Sequence, residues 1–303
     1  MTDIKSCTDA LIAQLNLVPT GTDSGPVVDL HYFRVARGTR MSDLKSTIAK
    51  HGFYSDWRRG DAGDQIAIGI PHADRKVVSL SALVGDDAFR KSDAVLPIIL
   101  GVDALGNPVV ADLAQMPHLM ISGNDGTGKS MLLASIVASI NAHPSAADHR
   151  IVNINASDAV TQIGQITAEM SRRYDALRAA RARDIACCAG LDMVRMIVVM
   201  DELDTIMAAH KKTITESLAN LVSYARTVGI HIIIAASRID SKTLSGAIKA
   251  NFPARISFRV DTAAASRQSL GENGAELLLP YGDALFSVAG RIPTRIHTPY
   301  LDV

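Results

Sequence analysis

Apolar positions along the chain follow two rhythms. Short, mostly apolar runs occur at Ile98 to Leu100, Leu119 to Ile121, Ile151 to Ile154 (interrupted by Asn153), Met196 to Met200 and His231 to Ala236. Runs of this length predict strands buried on both faces. Between them, apolar residues recur at helical spacing: Met131, Leu132, Leu133, Ile136, Val137 and Ile140, then Ile163, Ile166, Met170, Tyr174 and Leu177, then Ile214, Leu218, Leu221, Val222 and Val228. The second set predicts a helix from 160 to about 183, and the third predicts one that stops at Gly229. A hairpin turning at Leu105 to Pro108 leads into this region. Alternating strands and helices from residue 96 onward predict an α/β fold with a mainly parallel sheet covered by helices.

The first 95 residues read differently. The pattern predicts a short helix within 1–16, a strand from Val27 to Val35, a helix from Asp43 to His51, and a polar loop from Arg58 to Asp64. A strand from Gln65 to Ile70 and a short helix from Leu80 to Phe89 complete a small α+β domain, 1–95, ahead of a larger one, 96–303. The small domain carries no catalytic constellation, and packing or assembly is its expected role.

The chemistry gathers around residues 118–130. After the apolar strand, Gly123, Gly128, Lys129 and Ser130 fill the spacing G-x-x-x-x-G-K-S, and an apolar helix follows. A phosphate-binding loop needs this order: a strand enters a tight turn whose N–H groups surround an anion, and the positive end of a helix faces it. The nucleotide-binding residues expected are Gly123, Asn124, Asp125, Gly126, Thr127, Gly128, Lys129, Ser130 and Met131, with ATP and Mg²⁺ as cofactors. Lys129 would neutralise the β- and γ-phosphates, and Ser130 would bind the metal. Asp125 is unusual, because its carboxylate repels phosphate unless it faces solvent or binds a neighbour. The strand ending in Asp201-Glu202 supplies the other half of the site: Asp201 for the metal, Glu202 to polarise the attacking water. Ser237, at the end of the next strand, stands where such ATPases place a polar group that senses the γ-phosphate.

Composition narrows the alternatives. A 48% hydrophobic content over 303 residues is ample for a core. Equal numbers of basic and acidic residues, 31 each, give no uniformly basic surface. Cys7, Cys187 and Cys188 suit a reducing compartment better than a disulfide framework. With no apolar run near the ~20 residues of a membrane span and no signal peptide, a soluble cytoplasmic protein is expected. The histidines lack metal-ligand spacing, and His118 and His231 read as structural. An aromatic content of 4% argues against base stacking as the main mode of nucleic-acid contact. On periodicity alone, Arg172, Arg173, Arg178, Arg181 and Arg183 form a solvated helix face.

Taken together, the motifs resemble the motor region of the FtsK/SpoIIIE family of DNA translocases. The matching stretches are Leu96 to Gly101, Val109 to Leu119, the phosphate loop, Asp201-Glu202, Ala225 to His231, Ile248 to Val260 and Gly274 to Asp283. The resemblance implies a RecA-like P-loop motor domain behind a small α domain, and a hexameric ring around double-stranded DNA. It makes Arg226 the arginine that completes a neighbouring subunit's catalytic site. Arg181, Arg183 and Asp184 fall in a loop that touches DNA, which turns the solvated-face reading into backbone contact.

The departures are specific. Ser237 stands in place of a glutamine, polar residues around Asn155 replace Asp-Pro-Lys, and a second DNA-gripping loop is nearly absent between Gly190 and Val194. The membrane-spanning N-terminus and the C-terminal winged helix of cell-division members have no counterpart, so a compact soluble relative is expected. Two other readings stay open: an ATP-binding oligomeric scaffold or switch without translocation, and a related ATPase that pumps protein.

Overall fold

The computed structural model describes residues 12–36, 39–51, 53–60, 63–72, 75–144, 149–187, 193–240, 243–289 and 291–302. Strands β1 (Val18–Ser24), β2 (Val28–Arg34), β3 (Tyr54–Gly60) and β4 (Gly63–Pro71) form an antiparallel sheet in the order β1-β2-β4-β3. Helix α1 (Met41–Lys50) packs on it through Leu44 and Ile48, against Phe33, Ile66 and Ile68. The expected polar loop at Arg58 to Asp64 is a correction. Arg58, Arg59 and Gly60 belong to β3 and pair with β4 through Gln65, Asp64 and Gly63. Paired backbone overrides a locally polar sequence here. The predicted helix within 1–16 lies mostly outside the described residues.

The expected single helix at Leu80 to Phe89 is two, α2 (Leu80–Gly85) and α3 (Asp87–Arg90). Asp86 separates them, in extended geometry, with its carboxylate accepting from the Ala88 N–H. Leu80, Leu83 and Phe89 pack on Ile99 and Val102 of the large sheet.

That sheet has nine strands. In chain order the elements are β5 (Pro97–Asp103), β6 (Pro108–Asp112), β7 (His118–Ser122), α4 (Lys129–Ala142), β8 (His149–Ile154), α5 (Ala159–Ala179), β9 (Arg195–Met200), α6 (Leu203–Tyr224), β10 (Ile230–Ala236), α7 (Gly246–Ala250), β11 (Ala254–Phe258), α8 (Ala263–Ser269), β12 (Asp283–Val288) and β13 (Thr294–His297). The spatial order is β6-β5-β13-β12-β11-β7-β10-β9-β8. The run β11-β7-β10-β9-β8 is parallel, while β12, β13, β5 and β6 join it antiparallel. Within the parallel run, side chains alternate between two cores. Leu119, Ile121, Ile197, Val199 and Ile233 meet Leu132 and Ile136 of α4. Met120, Met196, Val198, Ile232 and Ile234 meet Ile166, Met170, Ile206 and Leu218 of α5 and α6. Burial on both faces explains the apolar runs of the three central strands β7, β10 and β9, whereas β8 at the edge is only partly buried. Hairpin β12–β13 has no counterpart in the expected pattern, because Asp283, Arg295 and His297 interrupt its apolar rhythm.

Helix α5 stops at Ala179, short of the expected residue 183. Arg181 takes a left-handed backbone, φ +52°, which turns the chain so that the Ala182 N–H bonds back to the Leu177 carbonyl. Arg173 is a second correction, because it is buried rather than solvated. Its guanidinium donates to Glu169 and to the Val228 carbonyl at 2.7 and 3.0 Å. Among the described residues no helix is long and apolar enough to cross a membrane.

A buried ion pair within the large sheet, between β12 and β13, is where the small sheet meets it. Arg295 grips Asp283 with two hydrogen bonds, 2.9 and 2.6 Å, and its guanidinium lies 5.2 Å from the centre of the Tyr54 ring at the start of β3. Gly69 of β4 leaves the necessary room, since a Cβ there would lie 2.7 Å from Arg295 Nη1. Val27, Val28 and Leu30 pack nearby against Ala104, Leu105 and Leu279. Removing one partner of such a pair strands a buried charge, so Arg295→Ala is expected to cost about 3–5 kcal/mol in urea unfolding. The double variant Asp283→Leu, Arg295→Met should regain most of that. A loss under about 1 kcal/mol in Arg295→Ala would show that the pair carries no such weight.

Candidate functional site: a phosphate-loop cleft at one edge of the parallel sheet

Strand β7 lies between β11 and β10 and delivers the chain into the loop 123–128. Gly123 (φ +144°) and Gly128 (φ +119°) both occupy backbone regions that suit glycine, and a Cβ on Gly123 would lie 2.5 Å from Phe258 Cβ. The loop is also tied down by its neighbours. Asn124 bonds through its N–H to the Arg259 carbonyl and through its amide to Asp261, and the Thr127 hydroxyl donates to the Asn124 carbonyl. Helix α4 begins at Lys129, so its positive end opens on the loop.

Strand β9 ends at Met200 beside β10, which carries Asp201 and Glu202 to the same edge. Glu202 holds a left-handed backbone, φ +49°, as the residue before α6, and the Asp201 carboxylate accepts its N–H at 2.9 Å. For a non-glycine residue that geometry costs about 1 kcal/mol and is kept where the surroundings impose it. The outcome is one cleft lined by Asp125, Gly126, Gly128, Lys129, Ser130, Met131, Asp201, Glu202 and Ser237. Asp204 and Thr205, from the first turn of α6, line it too and were not anticipated. Their signal in the sequence was their place just after the Asp-Glu pair, where a helix N-terminus turns toward the same space.

Inside the cleft, Lys129 Nζ donates to the Gly123 and Asn124 carbonyls at 2.9 and 3.0 Å and lies 3.3 Å from Asp125 Oδ1. Asp125 does not stand as a bare repulsive charge, because the Ser237 hydroxyl donates to the same oxygen at 2.5 Å. The Ser237 bond and then Lys129 hold its carboxyl below the usual carboxylate range.

A second cleft adjoins the loop at Gly126, Gly128 and Met131. Its other walls include Val77, Tyr281 and Tyr300, all largely exposed. Sequence reasoning assigned these residues no role. Tyr281 carried a hint, since it breaks an apolar stretch immediately before Gly282-Asp283.

The remaining expected residues sit elsewhere. Arg226 follows α6 and precedes β10, at the edge where β10 begins, whereas the phosphate loop lies where it ends. Seven strand residues separate the two edges by about 20 Å. Arg226 therefore does not reach its own chain's cleft. It lines a different one with Arg183, Asp184, Arg195 and His231. Arg181 and Arg183 are exposed, and Asp184 caps the following turn by accepting the Cys187 N–H at 3.1 Å. Of the stretch from 190 to 194, in which the shortened second loop was expected, residues 190–192 lie outside the described residues.

His118 and His231 are structural. The His118 Nδ1 accepts the Ile232 N–H, and the His231 ring bridges the Pro117 carbonyl and Arg195. Burial lowers their pKa values to about 3 and about 4. Both are neutral when folded and titrate near 6.5 when unfolded, so their stabilising contribution is complete above pH 6.5 and lost as pH falls toward 4 and then 3. Urea midpoints are expected to drop from pH 7 to pH 5, and His231→Gln should flatten that slope. An unchanged slope in the variant would exclude His231 as a source.

Comparison with known proteins agrees with this geometry. Residues 79–152 match the FtsK/SpoIIIE family model, and residues 119–260 match the ATPase family associated with various cellular activities (AAA). The chain is 29% identical to the DNA translocase FtsK of Rickettsia bellii, over 92% of this chain and 46% of that protein. It is 31% identical to the DNA translocase FtsK of Agrobacterium fabrum, over 91% of this chain and 38% of that protein. It thus spans less than half the length of these curated relatives. Among solved structures it superposes on the pCW3 conjugation coupling protein TcpA, monomer form with ATPgS, with a TM-score of 0.64 and 20% identity, covering 99% of this chain and 95% of that one. At that identity the superposition speaks for the fold. With the phosphate loop, the Asp-Glu strand end and these matches in agreement, the chain is a member of the FtsK/SpoIIIE family with a P-loop ATPase fold.

Proposed function

We infer that residues 96–303 form the motor of an ATP-hydrolysing double-stranded DNA translocase working as a homo-oligomeric ring, a hexamer by the family resemblance, with residues 1–95 as its small domain. The observation that carries this reading is the convergence of Lys129, Ser130, Asp201 and Glu202 on one cleft. The loop N–H groups and the positive end of α4 hold the nucleotide phosphates, and Lys129 offsets their charge. The Tyr281 and Tyr300 side of the adjoining cleft offers apolar walls to the purine base. Glu202 accepts the proton of the attacking water.

The Ser130 hydroxyl and the Asp201 carboxylate are hard oxygen donors that suit Mg²⁺. No group of three or more His, Cys, Asp or Glu able to hold a metal occurs among the described residues, so phosphates and water would complete the coordination. The ion, when bound, supplies charge stabilisation to the transferring phosphoryl group. Arg226 serves a neighbouring copy's cleft, which its distance from its own loop favours. DNA as partner is supported by the relatives' names and by the exposed Arg181 and Arg183, which would bind phosphates without reading bases, with Asp184 shaping their turn. Such work belongs in the cytoplasm, where ATP and DNA meet.

The test is steady-state ATP hydrolysis with and without long linear double-stranded DNA. DNA should stimulate turnover, and Arg183→Ala should remove the stimulation. Lys129→Ala should abolish turnover, and Glu202→Gln should lower it about 10²–10⁴-fold while nucleotide still binds. Undiminished turnover in Lys129→Ala contradicts the cleft assignment, whereas turnover indifferent to DNA contradicts the partner.

A further inference from the structure

The unusual carboxylate of the loop, Asp125, and the residue that replaces the family's glutamine, Ser237 at the end of β10, touch each other. The ammonium of Lys129 has three protons, and three acceptors surround it: the Gly123 carbonyl, the Asn124 carbonyl and Asp125 Oδ1. A phosphate oxygen can engage Lys129 only by displacing one of them. The carbonyls belong to the loop's backbone and hold Lys129 at 2.9 and 3.0 Å, whereas Asp125 sits at 3.3 Å on a side chain that is 90% exposed. Asp125 is the group that can leave. The same Oδ1 accepts the Ser237 hydroxyl, so its departure frees Ser237 at the same moment. One anionic oxygen thus occupies both of the groups that would meet a terminal phosphate.

We propose that Asp125 is an internal stand-in for the γ-phosphate: it closes Lys129 and Ser237 together when the cleft is empty, keeps Ser237 when a diphosphate reaches Lys129 alone, and is expelled by the terminal phosphate of a triphosphate, which meets both. This inference rests on the nucleotide-cleft reading above and adds to it a residue that sets the preference between ATP and ADP. Asp125 is a positioning residue, acting through Lys129 and Ser237. A carboxylate here opposes a triphosphate through like charge and competition for both Lys129 and Ser237, while a diphosphate, which meets Lys129 alone, leaves it the Ser237 bond.

The test is calorimetric titration of ATPgS and of ADP, each with Mg²⁺, into the unaltered chain, Asp125→Asn, Asp125→Ala and Lys129→Ala. Both Asp125 variants should bind ATPgS about three- to tenfold more tightly, with ADP affinity changed less than about twofold, and the difference from the unaltered chain should shrink at high salt. In turnover, KM for ATP should fall in these variants with a smaller change in kcat, a split that a merely structural residue would not produce. ATPgS binding that is unchanged, weaker, or strengthened equally with ADP overturns the proposal. Lys129→Ala separates the two levels. If it binds ATPgS as the unaltered chain does, the cleft reading itself fails. If it loses binding while the Asp125 variants match the unaltered chain, only the stand-in fails.

Discussion

The parallel arrangement of β11, β7, β10, β9 and β8 is the constraint on which the rest depends. Parallel strands buried on both faces all finish at one edge, so whatever follows each strand gathers there. The phosphate loop follows β7, Asp201-Glu202 follows β9 and Ser237 follows β10. Residues far apart in sequence line one cleft because the sheet has a direction, and the two apolar cores on its faces fix that direction. The same direction sends Arg226 and Arg183 to the other edge, about 20 Å away. The polarity of the sheet therefore divides the chain into a side that carries the phosphate loop and the Asp-Glu pair and a side that carries the arginines.

Strain and charge are concentrated at the receiving edge. Glycines at positive φ, a non-glycine residue at φ +49° and an exposed carboxylate bonded to the loop lysine all lie within a few residues of the strand ends. The antiparallel half of the sheet carries the buried Asp283–Arg295 pair, and the small sheet meets it through Tyr54 and through the apolar contacts of Val27, Val28 and Leu30. The second cleft, with Val77 on one wall and Tyr281 and Tyr300 on others, lies where these parts meet the loop.

Much of this was legible in the sequence because the central parallel strands are short apolar runs and the glycine spacing of the loop has few other uses. The loop, the Asp-Glu strand end and the helices on both faces followed from those patterns and from the family resemblance. What escaped was set by partners distant in sequence. Arg58 and Arg59 look like loop residues until β4 pairs with them, and Arg173 looks solvated until the turn after α6 brings the Val228 carbonyl to it. Hairpin β12–β13 was hidden by the polar residues that make its buried network. The bond between Asp125 and Ser237 joins positions 112 residues apart, which no local pattern could reveal.

The central claim is that catalysis joins the nucleotide edge of one copy to the arginine edge of the next. The most direct measurement is a mixing experiment with Lys129→Ala and Arg226→Ala, each assayed alone and then combined. Each variant alone should be inactive, and the mixture should regain ATP turnover, because an intact cleft on one copy meets an intact Arg226 on its neighbour. A mixture that stays inactive although the variants assemble, or full turnover by Arg226→Ala alone, would contradict the claim.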